Sequence, residues 1–293
     1  MFSKKAPHDV YEVFGSAADR ERLRISELDD FEALWSVTAA WVEAPNYRRR
    51  GWSGVCRIEL QNSPQAPSGV YLKRQEGHCY RSTRPPFHMK PTAYREYRNL
   101  FKMQTHGIAV PEVLYYGERK VGKIWQAILV TKEIPQSISL ETYMRLSSER
   151  PPSEVSGILQ DTSALIGRLH QRHLEHGALY GKHILLSGFV NNPSSAPPAG
   201  QTLVPYLIDL EKARFRLARW RIAVHDLNQL FRHMAWEAST WKTFLDHYMA
   251  VVRMKRIGPC LSRQITREAH RKQVNHRRHH RLSIRPLPGN RSS

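Results

Sequence analysis

The sequence is poor in cysteine and has no long apolar run. Three scattered cysteines, Cys56, Cys79 and Cys260, are too few for a disulfide framework or a zinc site. No apolar stretch approaches the roughly 20 residues that a membrane-spanning helix needs. The opening residues MFSKKAPHDV contain no apolar segment that could serve as a secretory signal. These absences predict a cytoplasmic protein, and 293 residues suffice for one large domain or a two-lobed one.

Acidic residues are also scarce. The chain has 26 aspartates and glutamates and 45 lysines and arginines, which gives a net charge of +19. Such a balance indicates an anionic partner: nucleic acid, an anionic membrane face or an anionic substrate. Much of the excess lies in residues 261–293, which have no apolar periodicity and predict a disordered basic tail. The tail could simply aid solubility. We expect it instead to contact an anionic membrane surface, at about 1 kcal/mol per basic residue near the bilayer.

Nucleic acid is not expected as the partner. The sequence has no helix-turn-helix, zinc or aromatic-stacking signature, so this interpretation rests on charge alone.

The first half of the chain predicts mainly strands. An amphipathic stretch at Leu28–Trp35 precedes a first strand expected near Trp41 and Val42, and VCRIEL then alternates apolar and polar residues as a half-buried strand does. Further strands are predicted in VYLKR, VPEVLYYG and KIWQAILVTKEI. Between them, PTAYREYRNLFKMQTHG reads as a helix, with Pro91 in its first turn and Gly107 at its end.

The second half predicts mainly helices, from Val155 to His173 and again from Val224 onward. Strands first and helices later favour an α+β, two-lobed domain. We therefore predict an N-terminal extension and β-rich N-lobe over residues 1–134, a helical C-lobe over 135–260 and the basic tail over 261–293.

Six short motifs occur in the order that a protein-kinase fold requires. In chain order they are RRRGWSG with Gly51 and Gly54, VYLKR with Lys73, AYREYRNL with Glu96, LHQRHLEHGALYGKHILL, YLIDLEKAR with Asp209, and HDLNQL with Asp226. Each motif alone is weak, since a glycine pair is more often an ordinary turn. A strand lysine followed by a helix-borne glutamate is the pattern of a kinase phosphate site.

These motifs resemble the bacterial lipopolysaccharide core heptose kinase family, a small-molecule branch of the protein-kinase-like fold. The pieces RGWS, YLK, REYRNL, LYGKHILL and LIDLEK carry the resemblance, which covers the chain from Trp41 to Leu230. It implies ATP and Mg2+ as cofactors and transfer of the γ-phosphate to a heptose of the lipopolysaccharide core (lipid A-core). It also implies a location at the cytoplasmic face of the inner membrane.

The resemblance also implies roles for individual residues. Lys73 would bind the α- and β-phosphates, Glu96 would hold Lys73, and Asp209 would bind Mg2+. His183 would hydrogen-bond phosphate or acceptor, because imidazole is a poor magnesium ligand. Asp226 would anchor the catalytic loop from a buried helix. The other predicted cofactor-binding residues are Gly51, Gly54, Thr131 and Glu133, and the other predicted catalytic residues are His176 and Lys182.

The sequence departs from the family pattern at one position, where Ala178 replaces the aspartate that accepts the proton of the acceptor hydroxyl. Loss of a positioned base typically costs about 10²- to 10⁴-fold in rate. Three interpretations stay open: a disabled kinase acting as a nucleotide- or core-binding scaffold, an active enzyme with Glu175, His176 or His183 as substitute base, or an engineered Asp→Ala change. A soluble acceptor such as an aminoglycoside or choline is a further possibility, although the basic surface favours an anionic acceptor.

Overall fold

The structure is a computed structural model that describes residues 10–48, 51–61, 69–82, 88–146, 151–188 and 202–253, together with Arg263 and Arg267. Apart from these two arginines, the predicted basic tail lies outside the described residues. The strands are β1 Tyr11–Phe14, β2 Trp41–Arg48, β3 Gly51–Glu59, β4 Gly69–Glu76, β5 Cys79–Arg81, β6 Met89–Pro91, β7 Val113–Val121, β8 Ile124–Lys132, β9 Ser137–Ser139, β10 Leu174–Glu175, β11 Ile184–Ser187, β12 Val204–Leu207 and β13 Arg214–Phe215.

The N-terminal half is built on a six-stranded antiparallel sheet with the order β1-β7-β8-β4-β3-β2. The central strand β4 carries Lys73, which is in register with Val55 of β3 and Leu129 of β8. Because β4 has a partner on both sides, the backbone on either side of Lys73 is fixed by ladder hydrogen bonds.

The first strand lies earlier in the chain than the sequence predicted. A strand does begin at Trp41, but β1 precedes it and pairs with β7, so that Tyr11 faces Glu118. The expected amphipathic stretch contains a short helix that buries Phe31 and Leu34. The missed strand has only four residues, too few for a visible alternation, and its partner lies about a hundred residues away.

Seven helices are present in the described part of the chain: α1 Ala17–Ile25, α2 Phe31–Ser36, α3 Thr92–Thr105, α4 Leu140–Leu146, α5 Pro152–Gln171, α6 Arg219–Arg232 and α7 Ala238–Val252. Helix α3 begins after Pro91, as predicted, and Gly107 follows its end with φ +66°, a left-handed conformation suited to glycine. None of the described helices combines the length and apolarity needed to cross a bilayer.

Helix α3 is fixed against the sheet by aromatic rings. The rings of Tyr97 on α3 and Tyr116 on β7 are stacked, with centroids 4.7 Å apart, and Tyr94 packs on the same Tyr116 ring. Buried side chains such as Leu100 and Met103 extend this contact, each contributing about 1.5–3 kcal/mol of hydrophobic stabilisation. The packing sets the rotation of α3 and thereby the direction in which Glu96 points.

The C-terminal half is a helical layer in which α5 packs along α7. Leu165, Ile166 and Leu169 of α5 are fully buried, as are Phe244 and Tyr248 of α7. Two small antiparallel sheets belong to this half. Strands β9, β11 and β12 form one, and β10 and β13 form the other. These pairings carry the loops in which the predicted catalytic residues lie.

Candidate functional site

A buried ion pair forms the base of the site. Lys73 Nζ donates a hydrogen bond of 2.6 Å to Glu96 Oε2, joining the central strand β4 to helix α3. Burial alone would lower the pKa of Lys73, but the charges of Glu96 and Glu211 raise it above its ordinary value. Lys73 is therefore held as an ammonium group at physiological pH. Sequence reasoning predicted this pair.

A second carboxylate, from Glu211, reaches the same lysine. Glu211 Oε2 lies 3.3 Å from Lys73 Nζ, and its other oxygen lies 4.0 Å from Arg95. Burial would raise the pKa of Glu211, but the charge of Lys73 and its hydrogen bond outweigh burial and lower it. Sequence reasoning did not single out Glu211. A carboxylate two residues after Asp209 in LIDLEK was the available signal.

Asp209 lies between these acids and the predicted catalytic loop. Its backbone is left-handed, with φ 58° and ψ 59°, a conformation that aspartate tolerates better than most residues and that is common at functional sites. Its side chain is 42% exposed, and its Oδ2 lies 3.5 Å from His183 Nε2. The carboxylate is therefore fixed near one imidazole and open to a ligand.

The segment that carries Asp209 is held on both sides. The neighbouring Ile208 donates its backbone N–H to the carbonyl oxygen of His183 at 3.0 Å. On the other side, Asn99 of α3 donates its side-chain amide to the carbonyl oxygens of Leu210 at 2.8 Å and Ala213 at 2.9 Å. The helix that positions Glu96 thus also positions the chain around Asp209.

Asp226 of α6 fixes the loop that contains Ala178. Its two carboxylate oxygens accept the backbone N–H groups of His176 at 2.7 Å and Gly177 at 3.0 Å. Although burial opposes ionisation, hydrogen bonds from His170 and His225 hold the pKa of Asp226 well below its usual range. This geometry supports the anchoring role that sequence reasoning assigned to Asp226.

The loop itself encloses Ala178, which is 0% exposed. Gly177 adopts φ +78°, and a Cβ there would lie 2.7 Å from the carbonyl oxygen of Lys212. His176 is also buried, and its Nε2 lies 3.1 Å from the carbonyl oxygen of Ile208. The position where the family pattern has a carboxylate is thus closed in this chain.

His183 is the predicted catalytic residue that lies nearest to Asp209. Its Nδ1 is 2.9 Å from the carbonyl oxygen of Ala178, so Nδ1 carries the hydrogen and Nε2 faces Asp209. Lys182 is exposed beside it. Ion pairs thus join Lys73, Glu96 and Glu211, and Asp209, two residues before Glu211, lies beside the His183 imidazole.

Glu175 is bound elsewhere within the protein. It is buried and forms ion pairs with Arg214 at 2.6 Å, with Arg216 and with His225 at 2.9 Å. The ligand atoms of Glu175, His225 and Asp226 all lie within 4.8 Å of one another. Two arginines and backbone N–H groups already satisfy these oxygens, so the cluster is an ion-pair network that supports the loop rather than a metal centre.

The two predicted phosphate-loop glycines have packing roles in the sheet. A Cβ on Gly51 would lie 2.0 Å from the carbonyl oxygen of Glu76, and one on Gly54 would lie 2.5 Å from the Trp41 ring. Close approach of neighbouring strands and rings therefore requires glycine at both positions, whatever their role toward phosphate. Arg49 and Arg50, which precede Gly51 in the RRRGWSG motif, lie outside the described residues.

Two other predicted cofactor-binding residues, Thr131 and Glu133, lie at the end of β8. Thr131 is in register with Tyr71 of β4 and Val113 of β7. Glu133 follows the strand and donates its N–H to the carbonyl oxygen of Gly69 at 3.0 Å, while its carboxylate accepts two hydrogen bonds of 2.7 Å from Arg57. The Glu133 side chain is thus occupied by a cross-sheet ion pair.

Comparison with known proteins identifies the family. The profile of the lipopolysaccharide kinase (Kdo/WaaP) family matches residues 32–248. The chain belongs to this family. Protein InaA of Escherichia coli K12 is 30% identical over 211 residues, which cover 71% of this chain and 90% of InaA. The lipopolysaccharide core heptose(I) kinase WaaP of Pseudomonas aeruginosa PAO1 is 26% identical over 135 residues, covering 44% of this chain and 48% of WaaP.

A solved structure confirms the Kdo/WaaP fold. WaaP in complex with acyl carrier protein superposes with a TM-score of 0.62 at 19% identity, covering 89% of this chain and 98% of the solved one. The predicted α+β, protein-kinase-like fold is therefore correct, and so is the family resemblance that the motifs suggested.

Proposed function

We propose that this chain is an ATP-dependent phosphotransferase that phosphorylates a sugar, a heptose, of the lipopolysaccharide inner core. Membership of a lipopolysaccharide kinase family supports the substrate class. The observation that carries the proposal is the buried Lys73–Glu96 ion pair at 2.6 Å, joined through Glu211 to the segment of Asp209. An ammonium fixed in this way can neutralise nucleotide phosphates, which is the main protein contribution to phosphoryl transfer.

The residues present fit a nucleotide with Mg2+. Asp209 offers an exposed carboxylate, the ligand type that Mg2+ prefers, and Glu211 offers a second one nearby. Mg2+ held there would supply charge to offset that of the phosphates. In this assignment Lys73 would bind the α- and β-phosphates, and Gly51, Gly54, Thr131 and Glu133 would contribute to nucleotide binding.

His183 is the best-placed substitute base. With the hydrogen on Nδ1 bonded to Ala178, Nε2 has a lone pair that can accept the proton of the acceptor hydroxyl. As the acceptor oxygen bonds to the γ-phosphorus and the bond to the leaving ADP oxygen breaks, this proton moves to His183 Nε2. Glu175 and His176 are buried and hydrogen-bonded within the protein, which argues against either as base. The exposed Lys182 would contact acceptor phosphate groups.

A second candidate is a pseudokinase that binds nucleotide or core sugar without turnover. The closed position of Ala178 favours it, because no carboxylate faces the acceptor there. Under either function we place the protein at the cytoplasmic face of the inner membrane, with the anionic surface contacted by the basic tail of residues 261–293.

The deciding experiment is transfer of labelled γ-phosphate from ATP-Mg2+ to purified core oligosaccharide by the chain as it stands, Asp209→Ala, His183→Gln and Ala178→Asp. Turnover that disappears in Asp209→Ala and falls about 10²-fold in His183→Gln is the expected result. Turnover by Ala178→Asp alone would favour the pseudokinase. If the chain binds nucleotide but neither it nor any of the variants turns over, a pseudokinase that acts as a scaffold is favoured.

A further inference from the structure

A short surface segment combines exposed apolar side chains with unneutralised cations. Phe215 and Trp220 are 54% and 41% exposed, and Leu217 is 82% exposed, the highest value among the large apolar side chains of the described residues. These three residues fall within six positions. Exposed apolar side chains scattered singly need no explanation, whereas a cluster marks an interaction surface.

The backbone of this segment is held firmly, so its exposure is not that of a loose loop. The N–H of Arg216 donates to the carbonyl oxygen of His173 at 2.9 Å. The His173 ring in turn donates from Nδ1 to the carbonyl oxygen of Leu217, 3.0 Å away, and packs against the Phe215 ring at 5.7 Å. Leu217 is therefore presented to the outside by a fixed turn.

Four cations in or beside this segment have no acidic partner among the described residues. They are Lys102, Lys212, Arg219 and Arg221. Lys102 Nζ lies 5.4 Å from the Phe215 ring centroid, and the Arg221 guanidinium lies 5.2 Å from that of Trp220. No aspartate or glutamate occurs between Lys212 and His225, so the outward charge of the segment is positive. We give the name basic–apolar patch to Lys102 and residues 212–221.

The geometry points to the basic–apolar patch as a docking surface for an anionic lipid bilayer. Aromatic and leucine side chains that enter the headgroup region, flanked by arginine and lysine, are the composition of interfacial membrane contacts. The charge is complementary to anionic headgroups. A soluble acidic protein would also suit the cations, but it would not account for a single leucine held almost wholly in water.

The position of the patch suits a lipid-linked acceptor, a step that rests on the proposed function. Lys212 follows Asp209 by three residues, and β13 pairs with β10 immediately before the loop of Ala178. The patch is therefore continuous in the chain with the segment of Asp209 and paired with the strand that precedes the loop of Ala178. This surface is distinct from the basic tail, since it belongs to the folded kinase domain.

The test measures co-sedimentation of the full chain with vesicles of phosphatidylethanolamine and phosphatidylglycerol, and with vesicles of phosphatidylcholine alone. We expect binding to the anionic vesicles, and a loss of about tenfold or more in affinity for Leu217→Ser/Trp220→Ser. Arg219→Gln/Arg221→Gln is expected to weaken binding at low salt and to flatten its salt dependence.

A matched control is Val121→Ser/Ile124→Ser, which removes two exposed apolar side chains beside Lys120 and Lys123 in the turn between β7 and β8. This variant should bind vesicles as the unsubstituted chain does. Thermal unfolding of each variant checks that the fold is intact. Equal vesicle binding by the patch variant and the control would overturn the proposal and leave membrane contact to the tail.

Turnover separates this inference from the proposed function. On deacylated core oligosaccharide, which needs no bilayer, Leu217→Ser/Trp220→Ser should work at the unsubstituted rate, whereas on vesicle-borne acceptor its rate should fall with its binding. Vesicle binding that depends on the patch would stand even if no acceptor were phosphorylated. If the unsubstituted chain binds neither kind of vesicle, the proposal is overturned and a soluble acidic partner is indicated.

Discussion

Glu211 Oε2 lies 3.3 Å from Lys73 Nζ, so that Glu211 shares with Glu96 the cation that we propose binds the nucleotide phosphates. The two carboxylates are not equivalent, because Glu96 is closer and belongs to the helix that positions the lysine. Glu211 belongs to the segment of Asp209 and, under the proposed function, would compete with phosphate for the same ammonium. Occupation of the site by a nucleotide would displace the Glu211 contact while the Glu96 contact stays.

We predict that Glu211→Gln binds ATP without Mg2+ about fivefold more tightly than the unsubstituted chain, because one negative charge beside the phosphates is removed. The matched variant Glu96→Gln should weaken binding by about tenfold, since Lys73 loses its closest partner. Calorimetric titration with and without Mg2+ measures both. If Glu211→Gln instead weakens ATP binding, and does so only when Mg2+ is present, Glu211 would be identified as a metal ligand.

Ala178→Asp should destabilise the protein, because it places a carboxylate at a fully buried position. We expect a loss of about 1–3 kcal/mol at neutral pH. Burial raises the pKa of such a carboxylate, so the loss should shrink as the pH falls and the group becomes protonated. Urea unfolding at several pH values provides the measurement. Ala178→Asn is the control, with a cost that does not change with pH; equal pH dependence of the two variants would contradict the prediction.

Asp226→Asn should lower the free energy of unfolding by about 3–5 kcal/mol at neutral pH, because it breaks a buried, charged network around His176 and Gly177. The pKa of Asp226 is depressed in the folded state, so its contribution is present above the unfolded pKa and is lost as the pH falls toward the folded value. The difference in the free energy of unfolding between Asp226→Asn and the unsubstituted chain should therefore become smaller as the pH falls. As a control, Asp161→Asn at an exposed position of α5 should leave the free energy of unfolding almost unchanged. A loss similar to that of Asp226→Asn would contradict a specific role for the buried network.

His225→Gln should cost stability mainly at low pH. Its hydrogen bond to Asp226 raises the pKa of His225 despite partial burial, and the charges of Asp226 and Glu175 add to the effect. The stabilisation is therefore complete below the unfolded pKa of about 6.5 and is lost as the pH rises through the folded pKa. Because the ring is part-exposed, we expect His225→Gln to lower the free energy of unfolding by only about 0.5 kcal/mol at low pH. Unfolding measurements at pH 5.5 and 9 give this difference in free energy. The substitution His88→Gln, at an exposed histidine, is the control. A larger loss of stability for His225→Gln at pH 9 than at pH 5.5 would contradict the prediction.

Local pattern was sufficient to predict the elements that carry Lys73 and Glu96. Strand alternation and helical periodicity are short-range properties, so the amino-acid sequence alone predicts β4 and α3. Their pairing followed from the kinase-like order of motifs, and the 2.6 Å contact agrees with that prediction.

Features that arise from distant parts of the chain could not be predicted in this way. The strand β1 depends on pairing with β7, and four residues carry no periodic signal. The second partner of Lys73 lies 138 positions along the chain, in a segment whose backbone turns left-handed at Asp209. The closure of Ala178 results from packing of its loop, which composition and spacing do not describe.

The pairing of β1 with β7 has a consequence for synthesis of the chain. Tyr11–Phe14 leave the ribosome about a hundred residues before their hydrogen-bonding partners, residues 115–118. At about 5–20 residues per second, the first strand waits several seconds before its place in the sheet exists. Until then β1 has no partner strand, and an exposed strand edge is where strands of different chains can associate. A chaperone bound to β1 during this interval would limit association between nascent chains.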